Sequence, residues 1–434
     1  MTPSEGAASS PVSDSGTDGR TVCGRLSRGH AGVGASDLVP SPAEWLAAAF
    51  GTIETRRHRH GHNPYAEART PGRGRHDVPL VEQRWRGGAA AGLQPAAEVD
   101  DAGRVHLIYF RGAPSGGDVF YVSRPPTSEF STPVRVNSQP GSVIATGTVR
   151  GGHLSLGADG RPHVAWMGSN TAEPRGPDGQ SPMLYTRLGD DGRFEPQRNL
   201  VTRAYGLDGG GTIAAGPPGH VAVLWHADSG RGGEDQRQVW MTTSSDGGVT
   251  FAPERPVSQP GVCGCCGLNA DVDPDGTVRA LYRGFDAPDH RSMYLLSAGD
   301  EDYERVELEP WRIGACPMST SSMTPAADAL LVAWETASQV SWAKMPAQGS
   351  ISPRVVRPTG EGTHRKHSAV TASADGHVLM AWAEGAGWNR GGALRWELFD
   401  PDGRSTGVSG ARPGVPVWSR PAVVASSGQF IIFY

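Results

Sequence analysis

The 434-residue chain lacks a long apolar run. No stretch approaches the ~18 consecutive apolar residues of a membrane span, so a membrane-embedded helix is not expected. It lacks an excess of basic charge: net charge is −5 and the isoelectric point about 6.3. A nucleic-acid partner, whose usual footprint is a basic domain, is therefore not expected. The first residues, MTPSEGAASSPVSDSGTDGR, lack the basic start and apolar core of a secretory leader. A cytoplasmic location is expected for the chain as written, and export if the true start lies upstream. Long helical periodicity is also scarce.

What is abundant is turn chemistry. Glycine (60) and proline (35) make up just over a fifth of the chain, yet twelve tryptophans and regularly spaced turns mark folded β structure rather than disorder. Seven segments repeat one pattern at a spacing of roughly 45 to 60 residues: 96–112, 153–168, 212–228, 269–284, 321–336, 368–385 and 421–434. Each has an alternating apolar run, a tight turn and a second run ending in an aromatic. Asp-Gly, Pro-Gly or Ser-Gly at the turn signals a hairpin. Third strands follow in most units, such as DVFYVSR (118–124) and QVWMTTS (238–244). Edge-like fourth strands include PVRVN (133–137). Four antiparallel strands per unit at this period predict an all-β propeller of seven blades, with six plus an appended hairpin as the alternative.

The seventh unit stops after two strands, and VPLVEQRWR (78–86) reads as a spare strand that closes the last blade and removes exposed edges. The expected domains are a disordered tail (1–40), a short helix and basic linker (41–77, with the helix over 41–56) and the propeller (78–434). The helix expectation rests on Ser41-Pro42 as cap and first turn. RRHRHGH (56–62) reads as a solvated linker.

SSDGGVTF (244–251) has the form S-x-D-x-G-x-T-[FW], filled by Ser244, Asp246, Gly248, Thr250 and Phe251. In this and its repeat frame the chain resembles the sialidase and BNR-repeat (Asp-box) propellers, over roughly residues 78–434. The resemblance implies that the Asp-box is a structural turn between third and fourth strands, not a catalytic aspartate. A working sialidase of that group carries three arginines on the substrate carboxylate, a Tyr–Glu nucleophile pair, an Asp acid/base and an early (F/Y)-R-I-P motif. The motif is absent here, although Arg111, Arg283 and Arg420 occupy suitable repeat positions. A subgroup of such propellers with unassigned activity has a C-x-C-C loop and a later A-C-P loop, and this chain is similar to it.

In a propeller, the loops between blades and the loops between second and third strands share one face around the channel. Four consecutive inter-blade loops carry distinctive groups: Cys263, Cys265 and Cys266; Cys316; His364, Arg365, Lys366 and His367; Trp418 and Arg420. The second loop set brings Arg283, Glu335 and His226 beside strand-ending aromatics. Arg283, Glu335, His226 and Arg365 are the expected catalytic groups. Cys263, Cys265, Cys266, Cys316, His364 and His367 are the expected metal ligands, suited to Zn²⁺ or Cu⁺. C-x-C-C is not a common zinc spacing, so structural disulfides, a reactive thiol activated by His and Arg, and inert packing stay open beside the metal reading.

Two functional classes follow. One is an enzyme: a glycoside hydrolase of sialidase-like type, or a metal-dependent enzyme. The other is a non-catalytic propeller that binds a glycan, ligand or protein and holds structural disulfides. In both, a small-molecule or glycan ligand is expected at the channel face of a monomer.

Overall fold

The computed structural model describes residues 92–434, apart from 205, 229–232, 328 and 347–352. Residues Leu80–Gln83 and 234 are described by backbone alone. The expected tail, helix and basic linker, and Cys23, lie outside the described residues.

Alternation of apolar residues and glycine-bearing turns produces the hairpins. At the first turn of blade 1, Gly103 N–H donates to the Asp100 carbonyl at 2.8 Å with φ 74°. At the equivalent turn of blade 4, Gly276 N–H donates to Asp273 at 2.9 Å with φ 90°. Only glycine enters that left-handed region freely, which is why Asp-x-x-Gly recurs there.

Among the described residues, the hairpins assemble into seven sheets, five of four strands and two of three. Six are each made from one continuous stretch. Their inner strands are Leu93–Val99, Gly152–Leu156, Gly211–Ala215, Asn269–Val272, Ser322–Ala326 and Arg365–Ala372. The seventh sheet has Ala422–Ser426 innermost, then Gln429–Phe433, then Leu80–Gln83. The spare N-terminal strand therefore joins the last sheet, as the sequence implies, but it runs parallel to Gln429–Phe433, with Leu80 opposite Gln429 and Gln83 opposite Ile432.

Among the described residues, seven hydrophobic clusters lie between successive sheets. One joins blades 3 and 4 through Leu224, Met241, Val262, Leu268 and Tyr282. Another joins the seventh sheet to blade 1 through Val424, Ile431, Phe433, Val105 and Leu107, which completes the ring. Middle strands are buried on both faces; all six residues of Val278–Arg283 are buried. The apolar area removed from water between sheets is thus the main stabilising term, at roughly 25 cal/mol per Å².

The Ser244-to-Phe251 turn lies between the third and fourth strands of blade 3. Asp246 accepts from Ser244 Oγ (2.7 Å), Thr250 N (2.9 Å) and Thr250 Oγ1 (2.6 Å), while Gly248 N donates to Ser244 Oγ (2.9 Å). Phe251 packs edge-on against Tyr185 with ring centroids 4.8 Å apart. These bonds hold the Asp246 carboxyl well below the ordinary carboxylate range, led by the Thr250 hydroxyl. Every acceptor is spent within the turn, so Asp246 is structural.

Candidate functional site

The inner strands begin on one face of the ring, and most begin with a kink. Non-glycine residues with positive φ recur at that level: Gln94 (51°), Met318 (52°), His367 (57°) and Trp418 (61°). Such backbone costs of order 1–3 kcal/mol where the residue is not glycine. It turns the entering chain across the channel mouth instead of straight into the sheet.

The cysteine loop makes this turn between blades 3 and 4. Val262 bridges Gly284, Cys263 N–H donates to the Arg283 carbonyl at 2.9 Å, and Cys266 N–H closes a turn onto Cys263 O at 3.2 Å. Gly267 N–H donates to Ser319 O at 2.9 Å, tying the loop to blade 5. A Cβ on Gly267 would come within 2.8 Å of Thr320 Cα. Backbone from both sides therefore fixes the thiols.

Cys263 and Cys266 are free thiols. The Cys263 and Cys265 sulfurs are 3.3 Å apart, and those of Cys263 and Cys266 3.7 Å. Cys263 and Cys266 are buried. Among the described residues, the donor atoms that gather within 4.8 Å of one another are the sulfurs of Cys263, Cys265 and Cys316. Cys316 itself is disulfide-bonded.

Burial opposes ionisation of Cys266, but bonds from the Cys263 and Cys265 thiols, the Arg283 charge and the Ser319 backbone outweigh it. Its thiol is held well below the ordinary range. Cys265 is pushed well above it by its bonds to Cys263 and Cys266, and by burial.

Around Cys266 stand three of the groups expected from the sequence. Arg283 is 1 % exposed; it donates to the carbonyls of Arg291 (2.6 Å) and Glu335 and lies 5.1 Å from the Trp311 ring. Glu335 is buried, with Oε1 accepting from Ser338 N–H at 2.9 Å and Oε2 unpartnered. Burial pushes its carboxyl up to about 7, against the pull of Arg283 and Lys366. His226 is wholly buried with neither ring nitrogen in hydrogen-bond geometry. Burial, and then Arg237, lower it to about 4, so the imidazole is neutral near pH 7.

Other expected members are placed elsewhere. His364 is exposed and outside the donor group. His367 is buried, but its Nδ1 accepts from Thr320 N–H at 3.2 Å and it is also outside that group. Arg365, one of the expected catalytic groups, is engaged within its own blade and the loop before it. Its guanidinium is turned into blade 6, bound to Glu384 (3.4 Å) and to the carbonyls of Thr359 (3.1 Å) and Gly360 (2.9 Å), over the Trp382 ring at 5.4 Å. Arg365 opens a strand paired to Glu384, and that register fixes its direction. Arg111 stacks on Phe120 at 5.3 Å.

Sequence reasoning passed over Asp208 and Arg237. Asp208 binds Arg150 (2.9 Å) and Arg237 (3.2 Å), and the Arg237 side chain packs against Gly264 inside the C-x-C-C turn. The run Asp208-Gly-Gly-Gly was the available signal, because consecutive glycines mark a close backbone approach.

The inner strands enclose a cavity of about 600 Å³ that runs down the channel, lined from all seven sheets. His153, Thr320, Ser368 and Arg420 line it, as do Glu98 and Asp271.

No family profile matches the chain, and no curated protein matches it. Among solved structures, it is similar to a protein of unknown function from Dyadobacter fermentans, at 13 % identity and TM-score 0.48 over 77 % of this chain and 96 % of that one. It is also similar to an α-L-arabinanase of Penicillium chrysogenum, at 12 % and 0.44 over 75 % and 98 %. A third is the Hadza microbial sialidase Hz136, at 12 % and 0.42 over 72 % and 73 %.

Proposed function

We propose that the protein is a metal-bearing propeller enzyme whose thiol cluster holds a soft ion, Zn²⁺ or Cu⁺, beside a channel that admits a small-molecule or glycan ligand. The observation that carries this reading is the sulfur geometry. Thiolates around a tetrahedral ion with Zn–S of ~2.3 Å are about 3.8 Å apart; the Cys263 and Cys265 sulfurs stand 3.3 Å apart, and both lie within 4.8 Å of the Cys316 sulfur. Cys263 and Cys265 are the anchoring ligands, Cys316 completes the set when its disulfide is reduced, and Cys266 lies at the edge of the group. Such an ion supplies Lewis acidity or a soft binding position. The chain's own residues supply the rest: Arg283 neutralises thiolate charge, and His226 presents an uncharged imidazole. Metal content of reduced protein tests this. About one equivalent of zinc or copper, lost in Cys263→Ser and diminished on oxidation, is expected. Reduced protein that takes up neither ion removes the reading and leaves structural disulfides.

A hydrolytic role of sialidase-like kind is a second reading, favoured by the unpartnered Oε2 of buried Glu335. A carboxyl that holds its proton near neutrality suits general acid–base work. Turnover of fluorogenic glycosides that disappears in Glu335→Gln supports it; no turnover of any sialoside removes the sialidase label.

A further inference from the structure

Between its first and last sulfurs, the loop joining blades 3 and 4 is also a C-x-x-C: Cys263-Gly264-Cys265-Cys266. That spacing is a frequent frame for a dithiol that passes to and from a disulfide. The loop closes as a turn, with Cys266 N–H donating to Cys263 O at 3.2 Å. Such a turn brings its first and fourth Cα atoms within about 7 Å, the span that a disulfide can bridge. The Cys263 and Cys266 sulfurs already stand 3.7 Å apart. Both residues are free thiols, 0 % and 1 % exposed.

A third sulfur connects this buried pair to the outside. That of Cys265 is 3.3 Å from the Cys263 sulfur, and Cys265 is only half-buried. The Cys316 sulfur lies within 4.8 Å of those of Cys263 and Cys265, and it is disulfide-bonded. An oxidised sulfur therefore already stands beside the buried pair. The backbone holds this arrangement from both sides. Arg237 packs on Gly264, where a Cβ would meet its Nη1 at 2.8 Å, and Gly267 N–H is tied to Ser319 O at 2.9 Å. Exchange among the sulfurs needs rotation of cysteine side chains, with the turn left in place.

We propose that Cys263 and Cys266 are a two-electron dithiol–disulfide couple, and that the Cys265 sulfur is the relay through which low-molecular-weight disulfides oxidise it. In the reduced protein, a disulfide RSSR loads Cys265 as Cys265–SR and releases one RSH. The Cys263 sulfur then attacks that of Cys265. The Cys263–Cys265 bond forms, the Cys265–SR bond breaks, and a second RSH leaves with the Cys263 proton. The Cys266 sulfur next attacks that of Cys263. The Cys263–Cys266 bond forms, the Cys263–Cys265 bond breaks, and the Cys266 proton passes to Cys265. Two thiols are oxidised and one RSSR is reduced to two RSH. The couple does not depend on the metal reading: no step uses an ion, and the disulfide form withdraws Cys263 as a ligand.

Oxidation of the full chain by glutathione disulfide tests it. The protein is reduced with excess dithiol, desalted into chelator-containing buffer, oxidised, quenched by alkylation and mapped by mass spectrometry. Cys263 and Cys266 should lose their reactivity together, joined in one disulfide, while Cys265 is recovered as a thiol. Cys265→Ser should slow that oxidation about ten-fold or more and leave its end point unchanged. Cys266→Ser should stop at the Cys263–Cys265 bond. Cys263 and Cys266 that both stay alkylatable at saturating glutathione disulfide overturn the couple, and oxidation of Cys265→Ser at the parent rate overturns the relay. If Cys265→Ser does not fold, Cys266→Ser decides: a free Cys263 thiol in its oxidised form overturns the relay. The mapping does not read metal content, so protein that takes up no ion can still show the couple, and protein that binds zinc can still fail to.

Discussion

Gly209 and Gly264 meet backbone to backbone: a Cβ built on Gly209 would lie 1.4 Å from the Gly264 carbonyl oxygen. Gly209 also has φ 79°. The entry to blade 3 and the C-x-C-C turn are therefore seated on each other, and neither moves alone.

Gly209→Ala should displace the cysteine turn. A side chain must enter both an occupied space and a left-handed backbone, so a loss of about 2–3 kcal/mol is expected. Chemical denaturation gives the stability, and metal content of the reduced variant should fall with it. A variant as stable as the parent would mean that the two loops are not in contact.

Arg365→Ala separates structural from catalytic arginine. It leaves Glu384 with only Arg395, at 3.0 Å, and strips three carbonyls of a donor. A loss of about 3 kcal/mol is expected. Metal content, measured on the folded variant, should match the parent.

Glu98→Gln should change how stability depends on pH. Burial pushes Glu98 from 4.5 up to about 8, and Asp271, itself raised to about 6, adds to it despite the Leu156 hydrogen bond. The native state thus holds a proton that the unfolded chain releases above pH ~4.5. Stability contributed by the neutral carboxyl is present below that pH and is lost as pH rises toward 8. The effect is on the order of 2 kcal/mol after allowance for partial exposure. Thermal melts from pH 4.5 to 8.5 should show a shallower decline in the variant; identical slopes would exclude Glu98 as the source.

Asp246→Ala should lower the melting temperature by opening the Ser244-to-Phe251 turn, because three bonds lose their acceptor. Metal content should not change. A selective loss of it would assign Asp246 a role beyond the turn.

The local elements of this fold are legible because their causes are local. Asp-x-x-Gly turns, alternating strands and the Ser244-to-Phe251 turn each satisfy their own hydrogen bonds within a few residues. The repeat phase also brings Cys263, Cys265 and Cys316 to one place, because equivalent loops of adjacent blades are neighbours. That phase does not give direction. Arg365 and His367 are two residues apart, yet Arg365 turns to Glu384 within its sheet while His367 reaches Thr320 of the preceding blade.

By itself, then, the sequence determined the repeat, its hairpins and the face on which the sulfur, imidazole and guanidinium groups gather, since periodic burial and turn chemistry act over short distances. Only the tertiary structure decided that Arg283 and the Ser319 backbone stand beside Cys266, that Gly264 is held by Gly209 and Arg237, and that Arg420 is left without a partner. Those outcomes depend on which side chains from other sheets arrive within a few ångströms, and no spacing along one chain contains that.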